Sequence, residues 1–222
     1  MKTLLSHFLR RALLVCMAAS LFGPLAAQQN QVQQRSNTIF AYPKFQKAKI
    51  LQPFGRYVTA DANILLKNAS LCYMEGDTVM QANVANILGV EFNDSARYRK
   101  VEGVAMGRVI AEKNWRTLVV VTTIDMEKYR EETVGGDNLP FFEMSDLNVF
   151  LEIDGDSREE AKGYPLEERY YFLIDGVAVR ATEKNIKKYV KPEMKAAFKN
   201  LMHDKFWSWN DAKSLAVLLA YI

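Results

Sequence analysis

Apolar positions along the chain fall into two regimes. From Lys47 to about Arg180 they form short runs, continuous or alternating, separated by turn-forming residues, which is the punctuation of β-strands. Beyond Ala181 they recur at the spacing of helix faces. Residues 64–67 and 71–74 flank Asn68-Ala69-Ser70, and Glu75-Gly76-Asp77 turns the chain into 78–82, so two hairpins are expected. Val90 and Phe92 alternate before Asn93-Asp94-Ser95. Strands are then expected at 98–101, 104–110 and 117–124, with Glu112-Lys113-Asn114-Trp115 as a loop. Leu118-Val119-Val120-Val121 does not alternate, and a continuous β-branched run of this kind suits a central strand covered on both faces.

A short helix is predicted over 126–133, a loop at Gly135-Gly136-Asp137-Asn138, and a strand over 147–153 that ends at Asp154-Gly155-Asp156-Ser157. The clearest local signal is Asp175-Gly176 between 169–174 and 177–180. Both central positions of a two-residue type I′ turn need positive φ, which this pair tolerates. Thr182 can cap a helix carrying Ile186, Tyr189 and Val190. Pro192 fits the first turn of a second helix, whose stripe is Met194, Ala197, Phe198, Leu201 and Met202. Asn210 or Asp211 can cap a third, bearing Leu215, Leu218, Leu219 and Ile222. Helices with one apolar face need a surface to cover. The expected fold class is therefore α+β: a predominantly antiparallel β-sheet domain followed by about three short C-terminal helices packed on it.

The first 27 residues have a basic start through Arg11, an apolar run from Ala12 to Phe22, a Gly23-Pro24 break and Leu25-Ala26-Ala27 before Gln28. This is the layout of a cleaved signal peptide. A membrane anchor is disfavoured because the run from Ala12 to Ala27 is shorter than the ~20 residues a spanning helix needs. Lipidation of Cys16 is disfavoured by Val15, too large before a lipidated Cys, and the Arg10-Arg11 pair lacks the flanking residues of a twin-arginine signal. The expected organisation is a signal peptide over 1–27, a flexible polar leader over 28–45, and a single α+β domain over 46–222, β-rich to 180 and helical from 181. Exported to the periplasm or cell envelope, or secreted, the mature chain is expected to have no transmembrane segment.

Charge adds to this picture. The chain carries 29 Lys and Arg against 26 Asp and Glu, and the surplus of three is Lys2, Arg10 and Arg11, inside the signal. The mature chain is formally neutral, which with export disfavours nucleic acid as a partner. Twelve acids and three bases lie between Thr122 and Glu160, and nine bases and four acids between Arg180 and Lys213. The first explanation for that polarity is packing or solvation within the fold.

Candidate chemistry is sparse. Loss of 1–27 leaves Cys72 and His203 as the only Cys and His, so no internal disulfide can form and a three-ligand zinc site would have to recruit carboxylates. Cys72 with His203 is the one thiol–imidazole option, but Cys72 lies in an apolar strand and His203 near a helix end. Asp125 and Glu127, at the end of the expected central strand, are the nominal carboxylate pair. Residues 154–160 only partly resemble a calcium loop, with Arg158 at the fifth position and Gly second. Gly103-Val104-Ala105-Met106-Gly107 lacks the Walker spacing and its Lys, and fails the dinucleotide pattern. No cofactor or metal is expected. Trp115, Phe206, Trp207 and Trp209 are the candidate binding residues, because aromatic rings stack on sugars and anchor protein partners.

The strand and turn from Tyr170-Tyr171-Phe172 through Asp175-Gly176, the helix with Ile186-Lys187-Lys188-Tyr189, the helix over 192–199 and the closing Leu215, Leu218, Leu219 and Tyr221 carry a resemblance. Over about 50 residues, roughly a quarter of the chain, the sequence resembles a loose group of uncharacterised exported proteins of Bacteroidota. The resemblance implies an envelope location and strands before helices, and it carries no activity across. The function expected is an exported noncatalytic binding or structural module of the cell envelope, with an envelope protein or glycan as partner. The alternative is a periplasmic hydrolase using a carboxylate pair or Cys72 with His203.

Overall fold

The Asp-Gly hairpin, the β-branched run and the apolar-faced helices all find partners in the computed structural model, which describes residues 33–93, 95–134 and 163–222. Eleven strands form an antiparallel sheet among these residues: β1 Arg35–Ser36, β2 Gln46–Leu51, β3 Tyr57–Leu65, β4 Ser70–Glu75, β5 Thr78–Gln81, β6 Gly89–Phe92, β7 Arg97–Lys100, β8 Met106–Lys113, β9 Arg116–Ile124, β10 Tyr164–Ile174 and β11 Val177–Arg180. Their order is β1-β10-β9-β8-β7-β6-β2-β3-β4-β5, with β11 also on β10. Four helices accompany them: α1 Met126–Val134, α2 Glu183–Ile186, α3 Lys195–Met202 and α4 Ala212–Val217. The fold is α+β, a large antiparallel sheet with short helices at its C-terminal end, and the described residues belong to one compact unit, 33–222. The expected signal peptide, the strand over 147–153 and the loop over 154–160 lie outside the described residues.

β9 is the central strand of the helix-covered half. It pairs with β8 and β10, and Leu118 to Val121 are each at most 4% exposed. Leu118 stands opposite Phe172, which stands opposite Val179, and this row packs with Ile186, Phe198, Leu215, Leu218 and Ile222 of the C-terminal segment. Full burial of a Leu or Phe side chain contributes about 2–3 kcal/mol. On the opposite face Val119, Val121 and Tyr171 join a second cluster with Ile50, Ile64, Leu71, Val90 and Met106.

Strand twist curls the sheet until its remote parts meet. The turn between β3 and β4 reaches β8 and β9: Leu66 C=O accepts from Ile124 N–H, Ala69 C=O accepts from Met106 N–H, and Ser70 bridges Ala105. A third cluster seals this seam with Ile39, Leu65, Leu66, Cys72, Ile124, Tyr129 and Tyr164. Gly107 is packed too tightly for a side chain, since a Cβ there would sit 2.7 Å from Val119 Cγ2 and 2.9 Å from Val101 Cγ2.

Two expectations need correction. Residues 33–45, placed in a flexible polar leader over 28–45, are part of the fold. β1 pairs with β10, Gln34 C=O accepts from Leu166 N–H, Ile39 is 1% exposed and Phe40 bridges Leu65. Backbone pairing and one buried Asn hold this segment. Asn63 Oδ1 accepts from Tyr42 N–H, while its Nδ2 donates to the carbonyls of Tyr42 and Lys44. The loop expected over Glu112-Lys113-Asn114-Trp115 shrinks to Asn114-Trp115, because β8 continues through Lys113 past an irregularity between Val109 and Ala111. At the C-terminal end, Thr182 caps α2 and Asp211, rather than Asn210, caps α4. No described helix is long and apolar enough to cross a membrane.

Candidate functional site

Three groups of residues bear on function: the displayed aromatics, the nominal catalytic residues and a cavity within the curl of the sheet. Asn114 and Trp115 form the tip of the β8–β9 hairpin, with φ of 50° and 64°. These values place both in the left-handed region, and the Trp115 side chain is fully exposed at 101% of its reference area. Asn accepts this backbone easily, whereas a bulky residue there costs roughly 1–2 kcal/mol. Phe54, 95% exposed at φ 63° in the loop between β2 and β3, repeats the pattern.

The other three predicted aromatics separate. Trp207 and Trp209 are half-buried, packed edge to face with centroids 4.5 Å apart and set against the helix–sheet cluster. They hold the corner between α3 and α4, although Trp207 Nε1 is buried without an acceptor among the described residues. Phe206 points outward at 83% exposure with Lys205 Nζ 5.0 Å from its ring centroid. Its loop is tied down: Phe206 N–H donates to Asp204 Oδ1, Trp207 N–H to Asp204 C=O, and Ser208 N–H to Ser214 Oγ.

Cys72 and His203 are not brought together. Cys72 is fully buried in the seam cluster, where burial pushes its thiol up to about 11, and His203 is exposed at the C-cap of α3. Asp125 serves as an anchor: its Oδ1 accepts from Lys128 N–H at the start of α1, and its Oδ2 accepts from Gln33 Nε2. Glu127 is exposed in the first turn of α1. Among the described residues no three His, Cys, Asp or Glu side chains converge as a metal set.

A cavity of about 260 Å³ opens on the curled sheet. Its apolar lining is Ala41, Ile64, Leu66, Met106, Val120 and Leu166, and its polar lining is Tyr98, Arg108, Thr122 and Glu168, with Gln34, Arg35 and Ser36 at the N-terminal strand. Register places these groups on one face: Arg108 stands opposite Tyr98 and Val120, and Thr122 opposite Glu168. Tyr170 donates to Glu168 Oε2 at 2.7 Å. Burial, and then that bond to a carboxylate, raise the Tyr170 phenol well above its ordinary range, so it remains a donor. Arg35 donates to both Glu132 carboxylate oxygens and to Gly163 C=O, tying β1 to α1.

The cavity leaves no mark in the sequence because its walls come from seven separated stretches. Neither Arg108 nor Glu168 belongs to a sequence motif. The available signal was that each charge stands two residues from apolar or aromatic side chains, Arg108 from Met106 and Ile110 and Glu168 from Leu166 and Tyr170, on strands whose pairing no local pattern shows. Comparisons of the chain with protein-family models, curated proteins and solved structures found no match.

Proposed function

We propose that the protein is an exported, noncatalytic module of the cell envelope that binds another envelope component, a protein or a glycan, through aromatic side chains displayed at its turns. Trp115 carries this reading. Its ring gains no burial, and its backbone occupies a conformation that Gly or Asn would hold more cheaply, so its identity contributes nothing favourable to its own fold. A rigid, amphipathic indole at a hairpin tip is the kind of side chain that anchors an interface. Phe206, fixed outward by the hydrogen bonds of its loop, offers a second contact.

The export part of the proposal rests on residues 1–27 and the neutral remainder. Envelope fractions should contain a chain whose N-terminal residue, read by mass spectrometry, is Gln28; an intact Met1 chain confined to the cytoplasm would overturn it. The binding part is tested by cross-linking in envelope fractions. A defined protein or glycan adduct should form with the native chain and be lost in W115G and reduced in F206A, both with unimpaired thermal stability. An adduct pattern unchanged in W115G sinks the role of Trp115.

A further inference from the structure

The cavity on the curled sheet is independent of the displayed aromatics, and its chemistry is specific enough to name a ligand class. Three of its seven polar residues are already engaged: Arg35 is held by Glu132 and Gly163, the Ser36 hydroxyl donates to Thr38 C=O, and Tyr98 has partners of its own. Of the others, Arg108, Thr122 and Glu168 lie together by register. Arg108 has no hydrogen-bond or ion-pair partner among the described residues, nor does the Thr122 hydroxyl. Glu168 uses Oε2 to accept from Tyr170, leaving Oε1 without a partner.

Arg108 and Glu168 approach from opposite sides of β9, one on β8 and one on β10, so their backbones stand two strand spacings apart, roughly 10 Å. They form no ion pair with each other. The rest of the lining is largely aliphatic, with Ile64, Leu66, Met106, Val120 and Leu166, and Val120 of β9 stands between the strands that carry the two charges. A cation and an anion held apart in a largely aliphatic lining complement a molecule that carries both opposite charges and a hydrocarbon side chain. A carboxylate alone would pair only with Arg108 and an amine alone only with Glu168, so each would leave the other charge of the cavity without its partner. As for size, a cavity of roughly 150 Å³ holds benzene, so 260 Å³ suits a ligand of roughly ten non-hydrogen atoms.

We propose that this cavity binds a small zwitterion with an apolar side chain, a free α-amino acid or a dipeptide, its carboxylate on Arg108 and its ammonium on Glu168. Thr122, opposite Glu168 in the ladder, supplies a neutral hydrogen bond beside the ammonium. The Tyr170 phenol holds one oxygen of the Glu168 carboxylate and leaves the other for the ammonium.

Calorimetric titration of the full chain with L-leucine, Leu-Leu, hexanoate and hexylamine tests this. At least one of the two zwitterions should bind tenfold or more tightly than both single-charge probes, and whichever of the two binds better identifies the source. R108M and E168Q should each weaken that binding by tenfold or more. E168Q keeps an oxygen to accept from Tyr170, so its melting temperature should match the native chain and separate a lost ligand contact from a lost fold. The proposal is overturned if neither zwitterion binds, if hexanoate or hexylamine matches them, or if E168Q binds the zwitterion as the native chain does.

Discussion

A side chain that is wholly solvated and sits on left-handed backbone is held by nothing in its own molecule, and Trp115 is in that position. Replacing it by Gly removes the steric cost of positive φ and adds some unfolded-chain entropy. W115G should therefore stabilise the protein by about 0.5–1 kcal/mol in urea unfolding, while the envelope adduct disappears. A destabilised W115G would mean that the ring packs on something in its own chain. Cys72 is the opposite case, a nucleophile by element and a hydrocarbon by environment. With its thiol at about 11, the native protein should resist alkylation at mildly alkaline pH and react only on unfolding, as followed by mass spectrometry. At this scale composition was a partial guide. Cys72 in an apolar strand was readable as core, because burial there follows from neighbours in sequence, whereas Trp207 and Trp209, expected as binding residues, pack on each other at the helix corner. The conformation of Trp115 was not readable, since a loop assigned to residues 112–115 hides which two of them take positive φ.

The elements are held by a few polar groups in addition to apolar faces. Asp211 accepts from the backbone and then the hydroxyl of Ser214, and these bonds lower its carboxyl below the ordinary range. A folded-state value below the unfolded one means that the stabilisation is full above about pH 4 and fades as pH falls through the lowered value. D211A should cost about 1 kcal/mol at neutral pH, and the gap from the native chain should close in acid, as measured by denaturant titration at several pH values. Asn63 does comparable work for the stretch before β2. N63L would remove the bonds that Asn63 makes to the backbone of Tyr42, Lys44 and Ile64, and should cost about 2–4 kcal/mol by thermal unfolding. Hairpins and caps were legible because their determinants are local: Asp175-Gly176, Thr182 and the Leu118–Val121 run specify their own geometry. The ordering of 33–45 was not, because its partners, Asn63, Leu65 and Leu166, are contributed by other strands and the polar residues that open the segment give no sign of them.

For the molecule as a whole, fold class followed from the change of hydrophobic period near Ala181, yet the curl of the sheet did not, and with it went the cavity. Strand order decides which side chains share a concave face, and no local pattern records that β9 lies between β8 and β10 while the β3–β4 turn returns to its end. The placement of β1 has a temporal consequence. Gln33 and Leu166 touch across 133 residues, so β1 emerges long before its partner and must wait for β10. Loop closure over that separation is entropically late. On refolding, pulsed hydrogen exchange should show the β8–β9 amides protected first and Leu166 N–H among the last. A chain released from either a ribosome or a membrane pore would stay open at this edge until its final quarter arrives.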